Sequence, residues 1–166
     1  MRFKYCPECG SKLISREIGD EGQVPYCLNC HRPLFDMFSS CIIVLVVNEN
    51  EEAALLKQGY ISSHYYTLVA GYMKPGETAE ECTRREVLEE IGIELDALKL
   101  IGTYWFGLKD QLMIGFIARA KKRDFTLSGE VDEAQWIPVE QAIHMVHPKG
   151  SISYELLEIY NKEKTI

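Results

Sequence analysis

Apolar and polar positions follow one another in short, readable blocks along most of the chain. Residues 41–47 (CIIVLVV) form the longest apolar run, β-branched and strand-sized. A polar turn at 48–52 separates them from a second predicted strand at 53–58, and 59–64 reads as a loop. The aromatic and β-branched stretch 65–70 (YYTLVA) predicts another strand, and 73–77 (MKPGE) a turn. Thr78 is placed to cap a helix, with Glu81 three residues on as its partner. That helix runs to about Ile91, where Gly92 stops it. Strands are expected at 99–106 and 111–120, a charged turn at 121–124, and a short strand at 134–137. Pro138 then opens a helix towards Val146, and 151–162 predicts a last one.

The first 36 residues differ. They hold two cysteine pairs and are punctuated by turn formers: Pro7, Gly10, Gly19, Gly22, Pro25, Asn29 and Pro33. The boundary falls at 36–40, giving a small β module over 1–36 and a main domain over 37–166. A small ribbon followed by a mixed sheet with a few helices predicts an α/β (α+β) sandwich.

Totals change this picture in three places. A chain of 166 residues suits one main domain plus a small module. No apolar run approaches the roughly 20 residues of a membrane helix, which argues against a membrane partner. The N-terminus (MRFKYCPECG) lacks the apolar core of a secretory signal, so the expectation is cytoplasmic. The net charge is −7; the first 36 residues carry five basic and five acidic side chains, so the main domain holds the whole excess. That balance argues against a broad nucleic-acid footprint, although metal ions can still mediate contact with phosphates.

Cys6-Pro-Glu-Cys9 and Cys27-Leu-Asn-Cys30 lie 17 residues apart. In a chain without an export signal, such pairs are metal ligands before they are disulfides. Four thiolates at about 2.3 Å close a tetrahedron suited to Zn²⁺ and leave no open position, so the site is structural. His31 is read as a surface imidazole, and Cys41 and Cys82 as small core residues.

On the helix at 78–91, Glu86, Glu89 and Glu90 share a face. Val87 and Ile91, with Thr83 a turn earlier, lie on another face that meets the sheet. Three crowded carboxylates repel unless something positive sits among them, and hard oxygen ligands suit Mg²⁺ or Mn²⁺. A Glu77–Arg85 pair would pin the preceding loop to the helix, and Gly71 and Gly76 would let that loop turn sharply.

The stretch 71–93 (GYMKPGETAEECTRREVLEEIGI) resembles the Nudix hydrolase signature without a mismatch: Gly71, Glu77, Arg85, Glu86, Val87, Glu89, Glu90, Gly92 and Ile93 occupy its fixed positions. The cysteine ribbon joined to it resembles the zinc-ribbon NADH pyrophosphatase subgroup, as do Cys41-Ile-Ile-Val44, Leu68-Val-Ala-Gly71, Leu112-Met113, 130–136 (EVDEAQW) and 148–156. The similarity covers about 6–158. It implies an α/β/α sandwich preceded by a zinc ribbon, and a chain without the separate N-terminal domain that many such enzymes carry. One departure stands out. The subgroup's S-Q-P-W-P-F-P-x-S motif reads TYWFGLKDQ at 103–111, keeping only the Trp105–Phe106 aromatic pair.

The resemblance implies metal-dependent hydrolysis of the diphosphate bond of NAD(H) or a related nucleoside diphosphate derivative. ADP-ribose or another nucleotide is the alternative substrate. A non-catalytic nucleotide sensor or RNA-binding ribbon is the reading from another class, disfavoured by the full set of glutamates and the neutral ribbon. By similarity, Glu86, Glu90 and the Ala70 carbonyl are metal ligands, joined by Glu130 with Glu133 as competitor. Glu89 is the expected general base, with Glu130 or Glu133 as runner-up. Gly71, Glu77, Arg85 and Gly92 are structural. Phe35, Trp105, Phe106 and Ser153 match substrate-contact positions, and Tyr66 joins them as a cleft candidate. A homodimer is implied, and NAD-capped RNA stays open as a substrate.

Overall fold

Strand β4 (Ser39–Val47) organises the larger part of the molecule. Its side chains alternate between two separate cores, as the period of two requires. Cys41, Ile43, Leu45 and Val47 enter one cluster, and Ile42, Val44 and Val46 the other. A strand covered on both faces must be apolar at every position, and this is the longest apolar run in the sequence.

The computed structural model describes residues 3–163. The chain divides into two compact units, Met1–Phe38 and Ser39–Ile166. In the first, β1 (Ile14–Glu17), β2 (Gln23–Cys27) and β3 (Arg32–Pro33) form an antiparallel sheet. Its buried cluster is small: Cys6, Leu13, Cys27 and Leu34.

The second unit contains β5 (Glu52–Lys57), β6 (Val69–Tyr72), α1 (Ala79–Ile91), β7 (Ala97–Phe106), β8 (Gln111–Arg119), β9 (Glu133–Pro138), α2 (Val139–Ala142) and α3 (Ile152–Glu163). The strand order is β7-β8-β4-β5-β9, with β6 also paired to β4. The β4–β8 pair is parallel and the other pairs antiparallel, so the sheet is mixed. Val87 and Ile91 of α1 fill one core, while Leu156, Leu157 and Tyr160 of α3 and Ala142 of α2 fill the other. The result is an α/β/α sandwich. Among the described residues no helix is long and apolar enough to cross a membrane.

Two expectations need correction. The strand predicted at 65–70 lies at Val69–Tyr72, preceded by single bridges at Tyr66 and Thr67. Pairing with β4 decides its position: Val69 to Tyr72 sit opposite Val44 to Cys41. The helix expected from Pro138 towards Val146 is one turn long, because the Met145 carbonyl accepts from the Tyr66 N–H and Val146 bridges to Tyr66. Of the ranges predicted above, 1–2 and 164–166 lie outside the described residues.

Candidate active site

The loop before α1 and the helix itself are built as a single braced unit. Thr78 caps α1 reciprocally with Glu81: the Glu81 N–H donates to Thr78 Oγ1 at 3.2 Å, and the Thr78 N–H to Glu81 Oε2 at 2.9 Å. Gly76 takes the left-handed φ of +87° that the preceding turn needs. Arg85 then ties loop to helix. Its Nε and Nη2 donate to the two oxygens of Glu77 at 2.6 and 2.9 Å, and Nη2 also reaches the Tyr72 carbonyl at 3.1 Å. This fork holds the Glu77 carboxyl well below the usual range, at about 2, aided by the Lys74 N–H. Arg85 Nη1 spans Glu86 Oε1 at 2.7 Å and Glu89 Oε2 at 3.0 Å, supplying the positive charge among the carboxylates.

Gly71 does a different job from the one its sequence context suggests. It lies inside β6, not in the loop, and its φ is not left-handed. A Cβ there would overlap the Glu86 carboxyl group. The glycine is required for close approach, with Glu86 laid across the backbone of β6.

Glu90 is the most unusual group. It is 5% exposed. Its Oε2 is buried and has no hydrogen-bond partner. Burial, then the charges of Glu86, Glu130 and Glu89, push its pKa up to about 8. Glu130 is brought near by the chain after β8: the Thr126 N–H donates to the Ile91 carbonyl at 3.0 Å and the Ser128 N–H to the Glu90 carbonyl at 3.0 Å.

These groups line one cleft of about 850 Å³, whose wall includes Ala70, Gly71, Arg85, Glu86, Glu89, Glu90 and Glu130. An orphaned, buried carboxylate oxygen facing other carboxylates fits a divalent cation, which supplies the missing partner and cancels the repulsion. Among the described residues the glutamates do not converge as closely as the cysteines, whose four ligand atoms all lie within 4.8 Å of one another. There Cys6 Sγ is 3.9 Å from Cys30 Sγ and Cys9 Sγ 3.5 Å from Cys27 Sγ. A regular tetrahedron with metal–sulfur bonds of about 2.3 Å has edges of about 3.8 Å, so the thiols fit Zn²⁺. His31 is exposed and outside this group.

Other expected residues fall elsewhere. Glu133 lies on β9, bonded to the Gln135 side chain, and does not line the cleft. Neither do Trp105, Phe106, Ser153 or Tyr66. Trp105 and Phe106 are consecutive on β7 and so point to opposite faces; Phe106 packs on the α3-side core, as does Tyr66. Phe35 belongs to the first unit and is exposed. Cys82 is buried in the core as expected, but Cys41, also buried, borders the cleft. The cleft instead gains Tyr60, Tyr72, Lys74, Lys109 and Gln111. Gln111 Nε2 donates to the Tyr72 hydroxyl at 2.7 Å. Tyr72 sits within the signature segment, so proximity to Gly71 was a usable signal; Tyr60 and Gln111 had none.

The family model for the NUDIX domain matches residues 37–158. NAD-capped RNA hydrolase NudC of Haemophilus influenzae (strain PittEE) is 30% identical over 159 residues, covering 94% of this chain and 59% of that protein. The NudC of Pasteurella multocida (strain Pm70) is 31% identical over 158 residues, covering 93% of this chain and 58% of its own length. The chain thus spans under two thirds of the curated relatives it matches. A NUDIX hydrolase from Nitrosomonas europaea superposes with a TM-score of 0.74 at 23% identity, over 98% of this chain and 92% of that one, a likeness of fold. With its braced signature segment lining the cleft and the domain matched over 37–158, the chain belongs to the NUDIX domain family.

Proposed function

We propose that this chain is a metal-dependent hydrolase of the diphosphate bond in NAD(H) or a related nucleoside diphosphate derivative. The observation that carries it is the cleft lined by Glu86, Glu89, Glu90 and Glu130, in which a buried Glu90 oxygen has no partner. Glu86 and Glu90, with Glu130 and the Ala70 carbonyl, would hold Mg²⁺ or Mn²⁺. A divalent cation there neutralises the diphosphate oxygens and lowers the pKa of a bound water. Arg85 keeps Glu86 and Glu89 in place and limits their mutual repulsion. Glu89, half-exposed in the cleft, is the base we assign to the attacking water, with Glu130 as the second choice. We rank Glu133, which does not line the cleft, below both.

The four-cysteine group is proposed as a structural zinc ribbon, and it supports a reading close to the NADH pyrophosphatase subgroup. The relatives named NAD-capped RNA hydrolase support a substrate of that kind. A second substrate reading, ADP-ribose or another nucleotide, is favoured by the departure at 103–111 and by the absence of Trp105 and Phe106 from the cleft wall.

The test is a product assay. The protein is incubated with Mg²⁺ or Mn²⁺ and NAD⁺, NADH, ADP-ribose, an NAD-capped RNA, a dinucleoside polyphosphate and nucleoside triphosphates. AMP with nicotinamide mononucleotide is the expected product pair from NAD⁺. Cleavage of ADP-ribose alone would select the second substrate, and no turnover with any compound would sink the hydrolase reading.

A further inference from the structure

The glutamates, Arg85 and Gly71 leave one part of the cleft wall unexplained. Tyr60, a residue 70% exposed, lines the cleft on the loop after β5. Behind it lies a buried polar pair that the proposed chemistry does not use. Gln58 is 3% exposed and Thr67 9%. Buried polar side chains are costly unless paired, so a pair of this kind calls for a purpose.

The pair sets the direction of a proton. The Thr67 hydroxyl lies 2.8 Å from Gln58 Oε1 and 3.4 Å from the Leu56 carbonyl; with its one proton on the shorter contact, the Gln58 amide turns its nitrogen towards Tyr60. Gln58 Nε2 donates to the Tyr60 hydroxyl at 3.2 Å. The phenol oxygen is therefore an acceptor on its protein side, and its own proton is left to give away. The loop is fastened as well. The Ile61 and Ser62 N–H groups both donate to the Gln58 carbonyl, at 2.8 and 3.0 Å. The Gly59 N–H donates to Asp132 Oδ2 at 2.7 Å, and the Asp132 N–H to the Lys57 carbonyl at 2.9 Å, so the Tyr60 loop is tied to the chain segment that carries Glu130.

We propose that Tyr60 is a substrate-binding residue, donating its phenolic hydrogen bond to a phosphate oxygen of the diphosphate held in this cleft. The proposal rests on the hydrolase reading above and deepens it. A phosphate oxygen is the acceptor because the diphosphate of the proposed substrate presents strong acceptor oxygens in this cleft. A neutral donor adds affinity without disturbing the charge balance among the glutamates. The phenol stays protonated over the working range, since burial and the charges of Glu90, Glu130 and Asp132 raise its pKa above the ordinary value. The contact was not legible in sequence: Gln58 and Tyr60 are near neighbours, but Thr67 joins them only because it bridges back to Leu56.

Tyr60→Phe removes the hydroxyl and keeps the ring. Calorimetry with α,β-methylene-ADP and Mg²⁺ is expected to show binding weakened about tenfold, with adenosine binding unchanged. Turnover of the best substrate from the product assay is expected to lose a similar factor in kcat/KM, at an unchanged Mg²⁺ concentration for half-maximal rate and an unchanged thermal midpoint. If wild type turns over substrate and Tyr60→Phe keeps both constants within twofold, the assignment of Tyr60 is wrong while the hydrolase reading stands. A raised Mg²⁺ requirement would also overturn it, because the hydroxyl would then serve the carboxylates. A wild type that neither cleaves the panel nor binds the diphosphate would bring down the hydrolase reading and this one with it.

Discussion

Glu90 sits in surroundings that a charged carboxylate disfavours. Its buried oxygen has no partner, and Glu86, Glu89 and Glu130 all raise its pKa. A metal-free protein must either protonate it or tolerate the charge. Replacing it by glutamine removes that conflict and, with it, a metal ligand. Glu90→Gln is therefore expected to melt higher than wild type in chelator, by about 1–3 kcal/mol of stability. It should also lose at least about a hundredfold in hydrolysis, since the cation's charge stabilisation is worth several kcal/mol. Thermal melts with and without Mg²⁺ read the first effect and steady-state kinetics the second; a lower midpoint in chelator would contradict the account. Gly71 presents the opposite case, a residue whose value is the atom it lacks. Gly71→Ala forces the Glu86 carboxyl off β6. A displacement of about 1 Å at a reacting centre costs on the order of a hundredfold, so kcat should fall by that factor while the far-UV circular dichroism stays as in wild type.

The brace between loop and α1 has its own pH signature. Glu77 titrates at about 2 in the folded chain against 4.5 for the free group. Between those values the unfolded chain binds the extra proton, so stability rises with pH there. The pair's contribution is complete above pH 4.5 and is lost as pH falls towards 2. Glu77→Gln is expected to melt below wild type at pH 7, with the gap closing between pH 4.5 and 2. A gap that stays constant over that range would show that charge plays no part in the brace. Elements of this kind were legible in sequence because their causes are local: the Thr78–Glu81 cap, the Gly92 stop and the apolar run of β4 all sit within a few residues. Position was misjudged where a distant partner decided it. Strand β6 takes its register from β4, α2 is cut short by the bridge of Val146 to Tyr66, and Gly71 is read correctly only once Glu86 is seen against it. The same holds for the site. The signature glutamates could be named in advance, whereas Gln111 reaches the cleft through the pairing of β8 with β4, and Tyr60 through the loop after β5 that Asp132 fastens.

The two units are held by different means, and this gives a test on the whole molecule. The larger unit buries two extensive apolar clusters on either side of its sheet. Among the described residues the first unit's contiguous buried cluster is Cys6, Leu13, Cys27 and Leu34, with Phe3 and Cys30 packed against them and Val24 and Tyr26 buried besides, so three of the six cluster residues are prospective metal ligands. A core that small does not offset the conformational entropy of nearly forty ordered residues, so the proposed zinc must supply much of the folding free energy. Protein purified without chelator is expected to carry one zinc per chain. Stripping it with a strong chelator should abolish amide protection in β1–β3 while α1, α3 and the central strand β4 keep theirs. Hydrogen exchange resolved by residue reads both halves of that expectation in one experiment. Zinc-free protein with β1–β3 still protected would mean that the four thiols hold the unit together without a metal.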